Sequence, residues 1–158
     1  MMGQGSARIA ALVFLCFFSR FCFSQSTERV YRNVGTDKLE AILKDLDIRF
    51  EKKPGKKPGI FSYDFEQKGT KVRLYNYAGE DLWIETDFTD KATLEAVNRW
   101  NMRAKFSRAV LVKDGGNATI SLEAQIDCTL GITEGMVRQF IRSFEGETQA
   151  FAQFLKQK

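Results

Sequence analysis

Histidine is absent from this 158-residue chain, and that absence removes more chemistry than any other feature of its composition. Without imidazole there is no Ser-His-Asp or Cys-His nucleophile pair, no His-ligated zinc or haem, and no imidazole pH switch. Proline is scarce, with 2 residues, and glycine is moderate at 12, which excludes long low-complexity linkers. No acidic residue stands before Glu28. What remains fits a folded domain. The chain is 44% hydrophobic and 28% charged, neither disordered nor a multi-span membrane protein, and its length allows one domain rather than two.

Residues 1–24 differ from everything after them. Arg8 precedes the unbroken apolar run Ile9–Phe18, Ser19-Arg20 interrupts it, and Cys22-Phe23-Ser24 places small residues where a signal peptidase reads them. This pattern predicts a secretory signal peptide ending at Ser24, or at Ser26, and a periplasmic or secreted product. The alternative is an uncleaved N-terminal membrane anchor, although a span needs about 20 apolar residues, roughly twice this run. Removing residues 1–24 takes away Arg8 and Arg20, so the net charge falls from +4 to +2. Cys16 and Cys22 leave with them, and Cys128 alone remains, so no internal disulfide is expected. A polar segment, residues 25–35, then leads into a domain over residues 36–158.

Hydrophobic periodicity predicts the order α-β-β-β-α-β-β-α. Thr36 is read as an N-cap ahead of Leu39, Ile42, Leu43 and Leu46 at helical spacing. Arg49–Lys52 reads as a short extended piece before the loop that ends at Gly59. Ile60–Glu66, Val72–Tyr77 and Leu82–Phe88 alternate as strands, joined by Gln67-Lys68-Gly69-Thr70 and Ala78-Gly79-Glu80-Asp81. Thr89 or Asp90 is expected to cap a second helix whose stripe is Leu94, Val97 and Trp100. Arg108–Lys113 and Ala118–Cys128 form a hairpin, the second arm alternating so regularly that one wet face is predicted. Thr133 opens a long C-terminal helix, with a bend or break expected at Gly146. The fold class is therefore α+β: an antiparallel five-stranded sheet with helices on one face.

Asn98-Arg99-Trp100-Asn101, followed by Phe106-Ser107-Arg108-Ala109 and a Gly131–Glu134 step before the last helix, carries a resemblance. The domain resembles the YbjN family of bacterial sensory-transduction regulators, over roughly residues 36–155. The resemblance implies a fold like that of type III secretion chaperones. Those chaperones are cytoplasmic and acidic, whereas this chain reads as exported and slightly basic, so their activity is not implied. The family supplies no catalytic residues to carry over.

Four sets of residues are candidates for function. Arg73, Tyr75, Tyr77 and Trp83, with Glu85 and Asp87 beside them, share the open sheet face if Val72 and Leu74 face the helices, and aromatics with arginine are what partner-binding surfaces enrich. Tyr63 lies on a neighbouring strand. The family motif Asn98, Trp100 and Asn101 reads as structural, the indole buried and the amides bonded to strand or loop backbone. Lys52, Lys53, Lys56 and Lys57 concentrate positive charge beside Pro54 and Pro58 and could meet an anionic lipid or polymer. Cys128, in phase with apolar neighbours, reads as a buried inert thiol. No catalytic residue, cofactor or metal is expected. A charge of +2 outside the cytosol disfavours nucleic acid. The expectation is a protein-binding monomer, with a homodimer as the alternative.

Overall fold

The computed structural model describes residues 28–89 and 92–157, so the signal-like stretch and Asp90 lie outside the described residues. Among the described residues the elements run α1 (Thr36–Asp45), β1 (Phe50–Pro54), β2 (Ile60–Gln67), β3 (Thr70–Tyr77), β4 (Asp81–Phe88), α2 (Leu94–Asn101), β5 (Arg108–Asp114), β6 (Asn117–Asp127) and α3 (Glu134–Lys156). All six strands join one antiparallel sheet in the order β1-β2-β3-β4-β6-β5. The sheet thus has six strands rather than the expected five. The extra one is β1, whose Phe-Glu-Lys-Lys-Pro sequence has no apolar alternation. Pairing with β2, from Phe50 opposite Phe65 to Pro54 opposite Phe61, is what makes it a strand. Pro54 is tolerated because β1 is an edge.

Short turns set the registers, of two residues at β2–β3 and β5–β6 and of three, Ala78–Glu80, at β3–β4. Lys68 and Gly69, Ala78 and Gly79, and Gly115 and Gly116 all have positive φ, which in the two-residue turns is what the twist-matched type I′ hairpin requires. Each turn sits where the glycine pattern placed it. The resulting alternation sends Tyr63, Phe65, Val72, Leu74, Leu82, Ile84, Ile120 and Leu122 to one face, where α1, α2 and α3 cover them in a single core.

Several local expectations need correction. Gly35, not Thr36, occupies the first cap, and no side chain bonds there. The second helix is capped by Thr93, whose hydroxyl accepts the Ala96 N–H, rather than by Thr89 or Asp90. Leu94 is 61% exposed, leaving Val97 and Trp100 as the buried stripe. Thr133 does cap α3, accepting the Met136 N–H. The break expected at Gly146 is not there. Continuous burial of Phe144, Thr148, Phe151 and Phe154 on the sheet offsets the roughly 1 kcal/mol propensity cost of one glycine. A Cβ at this exposed position would meet nothing within 4 Å. Gly146→Ala is therefore expected to raise unfolding free energy by about 0.5–1 kcal/mol in urea denaturation. An unchanged or lowered midpoint would contradict the helix-interior assignment.

The segment before α1 is not a free tail. Tyr31 exchanges backbone hydrogen bonds with Ile132 at 2.8 Å each way, and Val34 N–H bonds Gly79 C=O at 2.8 Å. The Glu28 carboxylate accepts the Gly135 N–H at the start of α3. Cys128 is buried and unpaired, its thiol pushed up to about 11 by burial, with Asp81 and Asp127 adding to the effect.

Candidate functional site

The strand period of two places Lys71, Arg73, Tyr75 and Tyr77 of β3 opposite Val72 and Leu74, on the face the helices leave bare. Trp83, Glu85 and Asp87 of β4 join them, and so do Asp64 of β2 and Glu123 of β6 through the register. The four sheet-face candidates therefore come together. Tyr75 stands opposite Trp83 across the β3–β4 pair. Tyr75 and Tyr77 stack at 6.0 Å between centroids and 27° between planes. Tyr63 does not belong with them. It is fully buried on the helix side, edge-on to Phe50 at 5.4 Å, with its hydroxyl donating to Glu40 at 3.4 Å.

The face is as much ionic as aromatic. Arg73 donates to both oxygens of Asp64, at 2.6 and 3.2 Å, and Lys53 adds a third contact at 2.8 Å. The Arg73 guanidinium, followed by Lys53, holds the Asp64 carboxyl below the usual carboxylate range. Arg108 lies 5.3 Å from the Trp83 ring centroid while donating to Glu123 at 2.6 Å. That pair accounts for the burial of Glu123, which, with Ser121, departs from the uniformly wet face expected of the sixth strand. Tyr75 donates its hydroxyl to Glu85 at 3.0 Å. Burial, then the Glu85 and Asp81 carboxylates, raises the Tyr77 phenol above its ordinary value. A shallow concavity of about 820 Å³ opens at the β2–β3 turn end of this face, lined in part by Asp64, Glu66, Arg73, Glu85 and Asp87.

The Asn-Arg-Trp-Asn motif sits elsewhere and works differently. Trp100 is buried, edge-on to Phe151 at 4.9 Å, and its indole N–H donates to Ser107 Oγ at 3.3 Å. The Ser107 hydroxyl in turn donates a hydrogen bond to Glu147 at 2.5 Å. Asn101 donates to Ala109 C=O at 3.0 Å and accepts Ala109 N–H at 2.8 Å. One side chain thus occupies the outward-facing backbone pair that the free edge of β5 would otherwise offer to another strand. Asn98 is exposed.

The lysine cluster is divided by the same strand parity. Lys52 turns to the helix side and pairs with Glu40 at 2.7 Å, while Lys53 turns to the open side and pairs with Asp64. Lys56 and Lys57 remain exposed in the hairpin loop. The four do not form one concentrated positive surface. Among the described residues no group of three or more His, Cys, Asp or Glu is arranged to hold a metal, and no helix is long and apolar enough to cross a membrane.

What sequence reasoning missed here are Asp64 and Glu123. Both are unremarkable in the chain and become partners only through register, whereas strand parity by itself puts Glu85 and Asp87 on the open face.

No curated protein matches the chain. Among solved structures, one similar chain is titled "Crystal structure of YbjN, a putative transcription regulator from E. coli". It superposes with a TM-score of 0.57 at 15% identity, covering 77% of this chain and 90% of that one, a likeness of fold. Residues 36–157 match the YbjN family, described as "Putative bacterial sensory transduction regulator". That match takes in every element from α1 to α3, and the chain belongs to the YbjN family.

Proposed function

We propose that this chain is a non-enzymatic regulatory module of the bacterial envelope that contacts a protein partner through the open face of its sheet. The observation that carries the reading is the Tyr75, Tyr77 and Trp83 group. Among the described residues no helix covers the face on which these large aromatics stand, and Tyr77 is 39% exposed. Aromatics and arginine in partly desolvated settings are the side chains that dominate partner contacts. Membership of a family of sensory-transduction regulators supports a regulatory role. The Arg8, apolar-run and Cys22-Phe23-Ser24 pattern supports export, to the periplasm or beyond, with N-terminal anchoring as the variant of that placement. The pairing of Lys52 and Lys53 with carboxylates favours the sheet face over the lysine loop as the contact surface. The face also carries Arg73, Asp64, Glu85 and Asp87, which solvate it and support a monomer awaiting a partner.

The test is partner capture by the purified protein from envelope extracts, with Tyr77→Ala/Trp83→Ala beside the parent. Loss of capture by at least tenfold is expected, since each central aromatic contributes on the order of 1–2 kcal/mol or more. Circular dichroism should be unchanged, because neither residue belongs to the core cluster. Full capture by the folded variant would overturn the reading.

A further inference from the structure

Both arginines of the open face are held by a carboxylate, and one of them lies over an aromatic ring as well. Arg108 pairs with Glu123 at 2.6 Å and lies 5.3 Å from the Trp83 centroid. Arg73 pairs with Asp64 beside Tyr75. One position repeats these groups without the cation. Tyr77 is exposed, stands opposite Asp81 in the β3–β4 register, and stacks on Tyr75, whose hydroxyl bonds Glu85. Among the described residues no cationic group lies over the Tyr77 ring or forms an ion pair with Asp81 or Glu85.

The β4–β6 register adds an independent observation. Glu85 stands directly opposite Glu123, and Asp81 directly opposite Asp127. Like charges opposite one another across antiparallel strands are destabilising. Arg108 neutralises Glu123, and Thr129 satisfies Asp127 through its N–H and hydroxyl. Among the described residues the groups that reach Asp81 and Glu85, the Gln125 amide at 3.3 Å and the Tyr75 hydroxyl at 3.0 Å, are neutral, and Arg73, opposite Glu85 in the β3–β4 register, is turned to Asp64, so both carboxylates lack an ion-pair partner beside an exposed aromatic ring.

We infer that Tyr77, Glu85 and Asp81 form a seat for an arginine or lysine side chain of the partner, presented from an extended segment crossing β3 and β4. This rests on the sheet-face reading given above and names the chemistry of what that face receives. A guanidinium or ammonium over Tyr77 gains the cation–π attraction and supplies the countercharge that Asp81 and Glu85 lack.

The test is a titration of the purified protein, followed by amide chemical shifts, with a capped peptide of alternating valine and arginine. Isomers with glutamine or glutamate in place of arginine are run in parallel. The arginine peptide is expected to move Tyr77, Asp81 and Glu85 saturably, and binding should weaken roughly tenfold in Glu85→Gln and in Tyr77→Ala but not in Tyr77→Phe. Glu85→Gln should meanwhile be no less stable than the parent, since it removes a like-charge pair. If the glutamine or glutamate peptide binds this face as well as the arginine peptide, or if Glu85→Gln leaves arginine-peptide affinity unchanged, the cationic seat is wrong and the sheet-face reading survives. If none of the three peptides moves open-face resonances, both fail.

Discussion

Trp100→Ala is expected to lower unfolding free energy by about 3–5 kcal/mol, the range for deleting a large buried aromatic. The ring is 3% exposed and packs against Phe151 at 4.9 Å and Phe154 at 5.6 Å, joining α2 to the C-terminal half of α3. Arg103 covers its outer side at 5.0 Å. Truncation removes this packing and also strips Ser107 of its indole donor, leaving the Ser107–Glu147 pair without its third member. Trp100→Phe separates the two effects. It keeps the aromatic contacts and deletes the hydrogen bond, so a loss of roughly 1–2 kcal/mol is expected. Urea denaturation of both variants measures this. A cost under 1 kcal/mol for the alanine variant would mean that the motif does not weld α2 to the core.

The second large effect is expected at Asn76, which is 1% exposed on the core face of β3. Its Nδ2 donates to Val34 C=O at 2.8 Å, and its Oδ1 accepts the Gly79 N–H at 2.6 Å. One amide thus ties the N-terminal segment to the β3–β4 turn. Asn76→Ala leaves a buried carbonyl and a buried N–H without partners, at about 1–3 kcal/mol each. A total loss of about 2–4 kcal/mol is expected, with hydrogen exchange accelerated at Gly79 and Val34 before global unfolding. Asn76→Asp should not restore stability, because a carboxylate cannot donate to Val34. Retention of slow exchange at Gly79 in the alanine variant would show that the turn is held by other contacts.

Much of this architecture is local and so was readable in the chain. Alternation in Val72–Tyr77 and Leu82–Phe88 fixes which residues face the helices. The glycines at 69, 79 and 116 mark turns whose positive φ suits them. Strand β1 was not readable, because its sequence alternates nothing apolar and its conformation comes from β2. The aromatic half of the open face followed from parity alone. Parity also places Arg73, Glu85 and Asp87 there, but that Asp64 meets Arg73 and that Glu85 stands opposite Glu123 comes only from inter-strand register, which no short window of sequence contains. The lysine cluster is divided for a simpler reason. Neighbouring residues on a strand point to opposite faces, so Lys52 and Lys53 could never share a surface. Gly146 shows tertiary packing overriding propensity, as buried phenylalanines before and after it hold α3 continuous.

The most direct test of the sheet-face account is site-specific photo-crosslinking in living cells, with a photoreactive phenylalanine analogue placed singly at Tyr77 and at Met136. Both positions are exposed, Tyr77 on the open sheet face and Met136 on the outer side of α3. The account predicts a discrete protein adduct from Tyr77, diminished when Glu85→Gln is added, and none from Met136. A discrete adduct from Met136 with nothing from Tyr77 would place the partner on the helical side and contradict it.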